Sequence, residues 1–254
     1  MSTLRARCPV CRAGTAVAVD SGYECHACGG SWAAGLVRVP RAWGVGGEEL
    51  AKAAFLPLPY PETGVVAEST LERQSESLAR LLPARPIVLG GCCCAHIGAV
   101  RGLAERGRVG LVWLDAHGDL NTPETSPSGN AWGMPLRMLL DAGDVRAEDV
   151  ALVGARNLDP PEVAFLAETG IDDSVERALA GVDAAYLAFD LDVLDPSEAA
   201  VFVPEPGGLS LSQAESLLRE IAARGAIAGM GVTGLLPDRE NARVVERLLA
   251  AAGL

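Results

Sequence analysis

Beyond Pro40, short apolar runs recur along the chain at residues 87–89, 109–114, 150–153, 184–189 and 226–232. The intervals between them are long enough for crossover helices, the connection that parallel strands require. Helix starts are signposted in those intervals. Ser69 with Glu72 and Ser210 with Gln213 match a capping box, and Asp159 followed by Pro160 matches a cap with proline in the first turn. Gly170 and Gly225 stand where helices should stop, and Leu71, Leu78 and Leu82 repeat at the spacing of a core-facing helical stripe. The pattern predicts a three-layer α/β/α domain around a parallel sheet, in which ligands collect beyond the carboxyl ends of the strands.

Before Pro40 that rhythm is absent and cysteines take its place. Cys8, Cys11, Cys25 and Cys28 form two Cys-x-x-Cys pairs separated by thirteen residues, the second followed by Gly29 and Gly30. Two such knuckles converge on one tetrahedral ion, and four thiolates close a structural zinc site. A segment of about forty residues buries too little apolar surface to fold unaided, so the zinc supplies most of its folding free energy. His26, inside the second knuckle, is read as facing solvent. The expected division is a zinc-ribbon module over residues 1–40 and an α/β domain over 41–254. The ribbon lacks the aromatic and basic interleaving of a nucleic-acid surface, which favours bracing the neighbouring domain or contacting a protein over binding nucleic acid.

Charge follows the same division. The 254 residues carry a net −12, of which residues 1–41 carry +3 and the remainder −15. An acidic body repels a phosphate backbone and accepts cationic ligands or metals, so nucleic acid is disfavoured as a partner. With 49% hydrophobic and 21% charged residues, the composition excludes the disordered and fibrous classes. The longest nearly apolar stretch, residues 87–100, contains His96 and falls short of the ~20 residues that span a bilayer. Arg5, Arg7, Cys8 and Cys11 occupy the place of a secretory apolar segment. The expectations are no membrane segment and a cytoplasmic location.

Two of the apolar runs end in unusual chemistry. Residues 109–114 lead into Asp115-Ala116-His117-Gly118-Asp119, and residues 184–189 into Asp190-Leu191-Asp192-Val193-Leu194-Asp195-Pro196. Asp195, before proline, is read as a cap. The other four carboxylates and His117 would crowd one crevice, where like charges repel by several kcal/mol unless protons or cations neutralise them. A pair of divalent cations is the simplest neutraliser. Mixed oxygen and nitrogen donors suit Mn(II), Fe(II), Co(II) or Zn(II) better than calcium.

Asp115-Ala116-His117-Gly118-Asp119, Ser128-Gly129-Asn130, Gly133-Met134-Pro135, the segment from Phe189 to Pro196, and Pro206-Gly207-Gly208-Leu209 occur in this order. Together they resemble the arginase/agmatinase (ureohydrolase) family over roughly residues 50–254. The resemblance implies an arginase-like α/β/α fold holding two divalent metal ions, manganese first, with zinc or iron as alternatives. It also implies a small cationic or amidine-like substrate and a trimeric or hexameric assembly. By the same resemblance, Asp115 and Asp190 bridge the ions, Asp119 binds one of them and orients the nucleophile, and His117 and Asp192 bind the other. The implied chemistry is attack by a metal-bridging hydroxide on a planar guanidino, ureido or other amidine-like carbon.

Three positions depart from the family pattern. Gly90-Gly91-Cys92-Cys93-Cys94 stands where Gly-Gly-Asp-His-Ser is usual, so Cys93 replaces an imidazole ligand. Cys93 is either a thiolate ligand, which shifts preference from manganese toward zinc or iron, or a small buried thiol. His96, one helical turn onward, is the other candidate for that ligand. Trp132 stands where a proton-shuttling histidine is usual; indole cannot make that transfer, but it could offer a stacking or cation–π face. Gly234 stands where a glutamate usually grips the guanidinium, whereas Asn130 is retained and could hydrogen-bond a substrate's polar tail. Two expectations follow. One is a metal-dependent hydrolase of a C–N bond whose substrate need not be arginine or agmatine. The other is a catalytically silent arginase-like protein that keeps a structural metal site and contacts a partner through its ribbon.

Overall fold

The computed structural model describes residues 4–12 and 14–254. Strands β1 (Arg5–Ala6), β2 (Ala16–Val19), β3 (Gly22–Cys25) and β4 (Ser31–Trp32) pair antiparallel in that order. Their small core contains Ala6, Cys8, Ala16, Tyr23 and Cys25.

The rest of the chain builds a larger sheet from β5 (Gly35–Val39), β6 (Glu62–Val65), β7 (Pro86–Gly90), β8 (Val109–Leu114), β9 (Val150–Val153), β10 (Ala184–Asp190) and β11 (Ile227–Thr233). Its order is β6-β5-β7-β11-β10-β8-β9, and every neighbouring pair is parallel. The intervening helices are α1 (Glu48–Ala53), α2 (Leu71–Leu81), α3 (Ala95–Ala104), α4 (Pro135–Ala142), α5 (Pro160–Thr169), α6 (Val175–Ala178), α7 (Leu211–Arg224) and α8 (Arg239–Ala251). Strand side chains alternate between the two faces. Leu36, Ile87, Leu89, Leu187 and Phe189 pack toward Leu218 of α7 and Leu248 of α8, while Val37, Val88, Leu111 and Trp113 pack toward Leu78 of α2 and Ile97 of α3. This is the three-layer arrangement that the apolar runs predict. Among the described residues no helix is long and apolar enough to cross a membrane.

The structure moves the division between the two units. The cysteine pattern puts residues 35–39 in the ribbon, yet β5 lies inside the large sheet, between β6 and β7. Leu36, Val37 and Val39 are fully buried there, and the one charged residue of the strand is accommodated by its partners. Arg38 pairs with Glu62 at 2.7 Å and donates to the carbonyl oxygens of Ala54 and Leu56 at 2.7 and 2.9 Å. The small sheet therefore ends near residue 33. It is fastened to the edge strand β6 by a reciprocal backbone pair, Arg7 N to Glu62 O at 2.8 Å and Glu62 N to Arg7 O at 3.0 Å. An edge strand left open offers unpaired backbone groups to other chains, and this bridge occupies those of Glu62.

The helix caps follow local chemistry. Asp159 and Ser210 form reciprocal capping boxes with Glu162 and Gln213, and Gly170 closes α5 in the left-handed conformation. The start of α2 shifts by one residue: Thr70, not Ser69, accepts from Arg73 N at 3.3 Å. Gly225 ends α7 in extended backbone, without a left-handed turn.

Candidate metal centre

The carboxyl ends of β7, β11, β10 and β8 lie side by side, and the candidate side chains gather there. Cys93 sits in the turn from β7 into α3, Asp115 directly follows β8, Asp190 ends β10, and Asp192 follows in a single helical turn. Cys93 Sγ lies 2.9 Å from Asp190 Oδ2 and 3.8 Å from Asp115 Oδ2. His117 Nδ1 lies 3.0 Å from Asp192 Oδ2 and 3.4 Å from Asp115 Oδ1. Two three-residue groups result, Cys93 with Asp115 and Asp190, and Asp115 with His117 and Asp192, each with its ligand atoms within 4.8 Å of one another. Asp115 belongs to both, so the two groups could hold a pair of cations across a shared carboxylate.

Backbone and side-chain donors fix these carboxylates without neutralising them. Asp115 accepts from His117 N at 2.7 Å and from the Trp113 indole at 3.1 Å. Asp190 accepts from Asp192 N at 3.0 Å, and Asp192 from Ala116 N at 3.0 Å. Arg156 ties the surrounding loops together by donating to the Asp192 and Glu205 carbonyls, each at 2.7 Å. Asp119, held at a positive φ of 52°, is 4% exposed. Its Oδ2 is one of two buried side-chain polar atoms without a hydrogen-bond partner among the described residues. A buried, unpartnered carboxylate oxygen among other carboxylates is costly unless a cation faces it, so the donor set fits divalent ions.

The electrostatics agree with the crowding. Burial, reinforced by the charge on Asp192, pushes Asp190 up to about 7. Burial and the charge on Asp115 push Asp192 up to about 6. Asp119 rises well above the usual carboxylate range through burial and then Asp115. The Cys93 thiol is held well above its ordinary value by burial and then Asp190. Burial opposes the His117 cation, but the hydrogen bonds and charges of Asp115 and Asp192 prevail and push it up to about 12.

A cavity of about 320 Å³ opens over the cluster. Leu50, Trp132, Phe202 and Val203 form apolar wall, while Asp159 and Glu162 add carboxylates. Trp132 packs edge-on against Phe202 at 5.6 Å. Its ring occupies the space a side chain at Gly44 would need. Asn130 is not among the cavity's lining residues; its Oδ1 accepts from Val45 N at 3.0 Å. His96 also stays outside both ligand groups, with its ring nitrogens on Tyr186 and Thr233. Gly234, at φ +70°, leaves room for Asp190, since a Cβ there would overlap the Asp190 carboxylate.

Glu162, Arg156 and Thr233 are residues that sequence reasoning alone does not single out. Glu162 accepts from Leu120 N and Asp159 N, each at 2.9 Å, and so ties the start of α5 to the loop that carries Asp119. Its sequence signal is the Asp159 cap, which marks a helix start without showing that the start borders the cavity. Arg156 carries no signal, because its partners are backbone carbonyls distant in sequence.

Beside the small N-terminal sheet, Cys8 and Cys28 sulfurs are 3.7 Å apart and Cys11 and Cys25 sulfurs 3.6 Å. All four lie within 4.8 Å of one another and could hold one ion. A hydrogen bond from Thr15 lowers the Cys25 thiol to about 6, which favours its thiolate.

The Arginase family model matches residues 48–253. The arginase of Bacillus caldovelox is 36% identical over 168 residues, covering 54% of this chain and 56% of that protein. The arginase of Bacillus subtilis strain 168 is 35% identical over 189 residues, covering 61% of this chain and 64% of that protein. The chain thus spans a little over half the length of these relatives. The crystal structure of arginase from Bacillus cereus superimposes with a TM-score of 0.73 at 26% identity, over 86% of this chain and 97% of that one.

Proposed function

Because this chain belongs to the arginase family, we propose that it is a metal-dependent hydrolase of a C–N bond in a small guanidino, ureido or other amidine-like compound. The observation that carries this reading is the pair of ligand groups sharing Asp115, with the unpartnered Asp119 Oδ2 beside them. Cys93, Asp115 and Asp190 on one side and Asp115, His117 and Asp192 on the other would hold two divalent ions, with Asp119 beside them. Bound ions at these positions supply Lewis acidity, which acidifies water and stabilises charge on the carbon under attack.

The chain's own groups account for the remaining tasks. The Asp119 carboxylate, through the oxygen not facing an ion, accepts the proton released by the attacking water and returns it to the departing amine, a role Trp132 cannot take. The apolar wall of Trp132 and Phe202 excludes water from one side and offers a planar face to a planar amidine carbon. None of the described residues lining the cavity is Lys or Arg, so the site favours a cationic or neutral substrate over an anionic one. The Cys93 thiolate adds a soft donor and shifts preference from manganese toward zinc or iron. A separate zinc ion at Cys8, Cys11, Cys25 and Cys28 holds the ribbon, which braces β6.

The test is to load the protein with Mn(II), Zn(II) or Fe(II) and assay urea release from guanidino, ammonia release from ureido and formamide release from formimidoyl compounds. Turnover with at least one class, abolished in Asp119→Asn, is expected. A metal-loaded protein that releases nothing from any class would instead establish the catalytically silent form.

A further inference from the structure

Behind the carboxylates runs a chain of buried polar groups that the hydrolysis does not use. His96, on α3, is fully enclosed between Trp113 of β8 and Tyr186 of β10, whose rings meet it edge-on at 5.1 and 5.9 Å. Its Nδ1 lies 3.1 Å from Tyr186 Oη, and its Nε2 lies 3.3 Å from Thr233 Oγ1 at the end of β11. Thr233 Oγ1 in turn lies 3.1 Å from Asp190 Oδ2 and 3.3 Å from Cys93 Sγ. The backbone is shaped to admit this chain. A Cβ at Gly231 would come within 2.6 Å of the His96 ring and collide with the Tyr186 hydroxyl, and one at Gly90 would come 2.9 Å from the Thr233 methyl.

The direction of the hydrogen bonds follows from donor counting. A carboxylate that holds a cation is ionised and only accepts, so Thr233 gives its single proton to Asp190. The Thr233 oxygen then accepts from His96 Nε2–H, which leaves Nδ1 to accept from the Tyr186 hydroxyl. Burial lowers the His96 imidazole to about 3, so the ring stays neutral and keeps one tautomer. Every donor in the chain points toward Asp190. Because Asp192 N holds the opposite oxygen at 3.0 Å, the Asp190 carboxylate is pinned at both ends.

We propose that Tyr186, His96 and Thr233 form a positioning relay that fixes Asp190 and Cys93 for divalent-cation binding. It rests on the reading of those two residues as ligands, and it gives this site an outer layer spanning α3, β10 and β11. Such outer partners set ligand orientation and typically carry about 10–100-fold in metal affinity.

The experiment uses the full chain with its ribbon filled by zinc. Co(II) is titrated by calorimetry and by absorption, where a sulfur-to-cobalt charge-transfer band reports the Cys93 thiolate. Thr233→Val, close in shape but without the hydroxyl, is expected to weaken Co(II) binding at least about tenfold and to alter the thiolate band. Thr233→Ser, which keeps the hydroxyl, is expected to stay within about threefold of wild type. His96→Leu should behave as Thr233→Val, and melting of each metal-free variant identifies any that fails to fold. Wild-type affinity and spectrum in Thr233→Val would overturn the relay, as would equal weakening in the valine and serine variants, which would mark packing alone. A wild-type chain that takes up no cobalt beyond the ribbon would overturn the ligand reading itself, a distinct outcome visible before any substitution.

Discussion

Asp119→Asn separates the cost of the metal centre from its benefit. In the metal-free protein Asp119 Oδ2 is buried without a partner, and burial with Asp115 holds its carboxyl well above the usual range. The group must either stay charged among like charges or take up a proton, and each option costs stability. Asparagine tolerates the positive φ of 52° at this position and offers an N–H to the neighbouring carboxylates. Relieving the unsatisfied oxygen should stabilise the metal-free protein by about 2 kcal/mol. At about 2–4 °C per kcal/mol for a chain of this size, the melting temperature should rise about 4–8 °C. Cations reverse the order. At a thousand times its Kd, a cation gives the wild type about 4.1 kcal/mol per site, whereas a variant binding a hundredfold more weakly gains only about 1.4 kcal/mol there. The assay is calorimetric melting with and without Mn(II), using a chelator too weak to strip the ribbon. A variant that melts below wild type without metal, or gains as much from metal as wild type, would refute the reasoning.

Two further predictions concern protons and packing. At neutral pH the metal-free centre holds protons that an ion must displace, because His117 is pushed up to about 12 and Asp190 up to about 7. Cation affinity should therefore rise with pH between 6 and 8, by about tenfold per pH unit for each proton released. Calorimetry in two buffers of different ionisation enthalpy should find at least one proton released per protein at pH 7; a buffer-independent enthalpy would contradict this. In the sheet, Arg38→Met removes a buried cation bonded to Glu62 and to two carbonyls, and should cost about 3 kcal/mol in urea unfolding. A cost below about 1 kcal/mol would show that these bonds do not hold β5 in place.

How far the fold is legible in the sequence depends on whether each element carries its own pattern. The five central and distal strands β7 to β11 are visible as apolar runs because they are buried along most of their length. Strand β6, Glu-Thr-Gly-Val, has no apolar run, since it lies at the sheet edge and is half exposed. Strand β5 is hidden by Arg38, whose charge is offset only by Glu62 and by carbonyls that come near through folding. The candidate site divides the same way. Asp115, His117 and Asp119 share one short segment, and Asp190 and Asp192 another, so their chemistry is readable in line. Thr233, Glu162 and Arg156 enter only because β11, α5 and the loop after β9 converge on that end of the sheet. Asn130 is readable as a motif residue, but its oxygen is engaged by Val45 N across 85 positions, which no local pattern reports.

The departures at 93, 132 and 234 are better understood together than one at a time. Cysteine is shorter than the histidine it replaces, and Asp190 approaches it to 2.9 Å, with Thr233 holding the same oxygen. That carboxylate position is compatible only with glycine at 234, because any Cβ there would overlap it and φ is +70°. A glutamate restored at 234 would therefore displace Asp190 before it could grip a substrate. Trp132 closes the opposite wall, seated over Gly44 and against Phe202, in space that a larger residue at 44 would take away. The glycine at 234 and the thiol at 93 thus meet at one carboxylate, Asp190, which the first leaves room for and the second contacts.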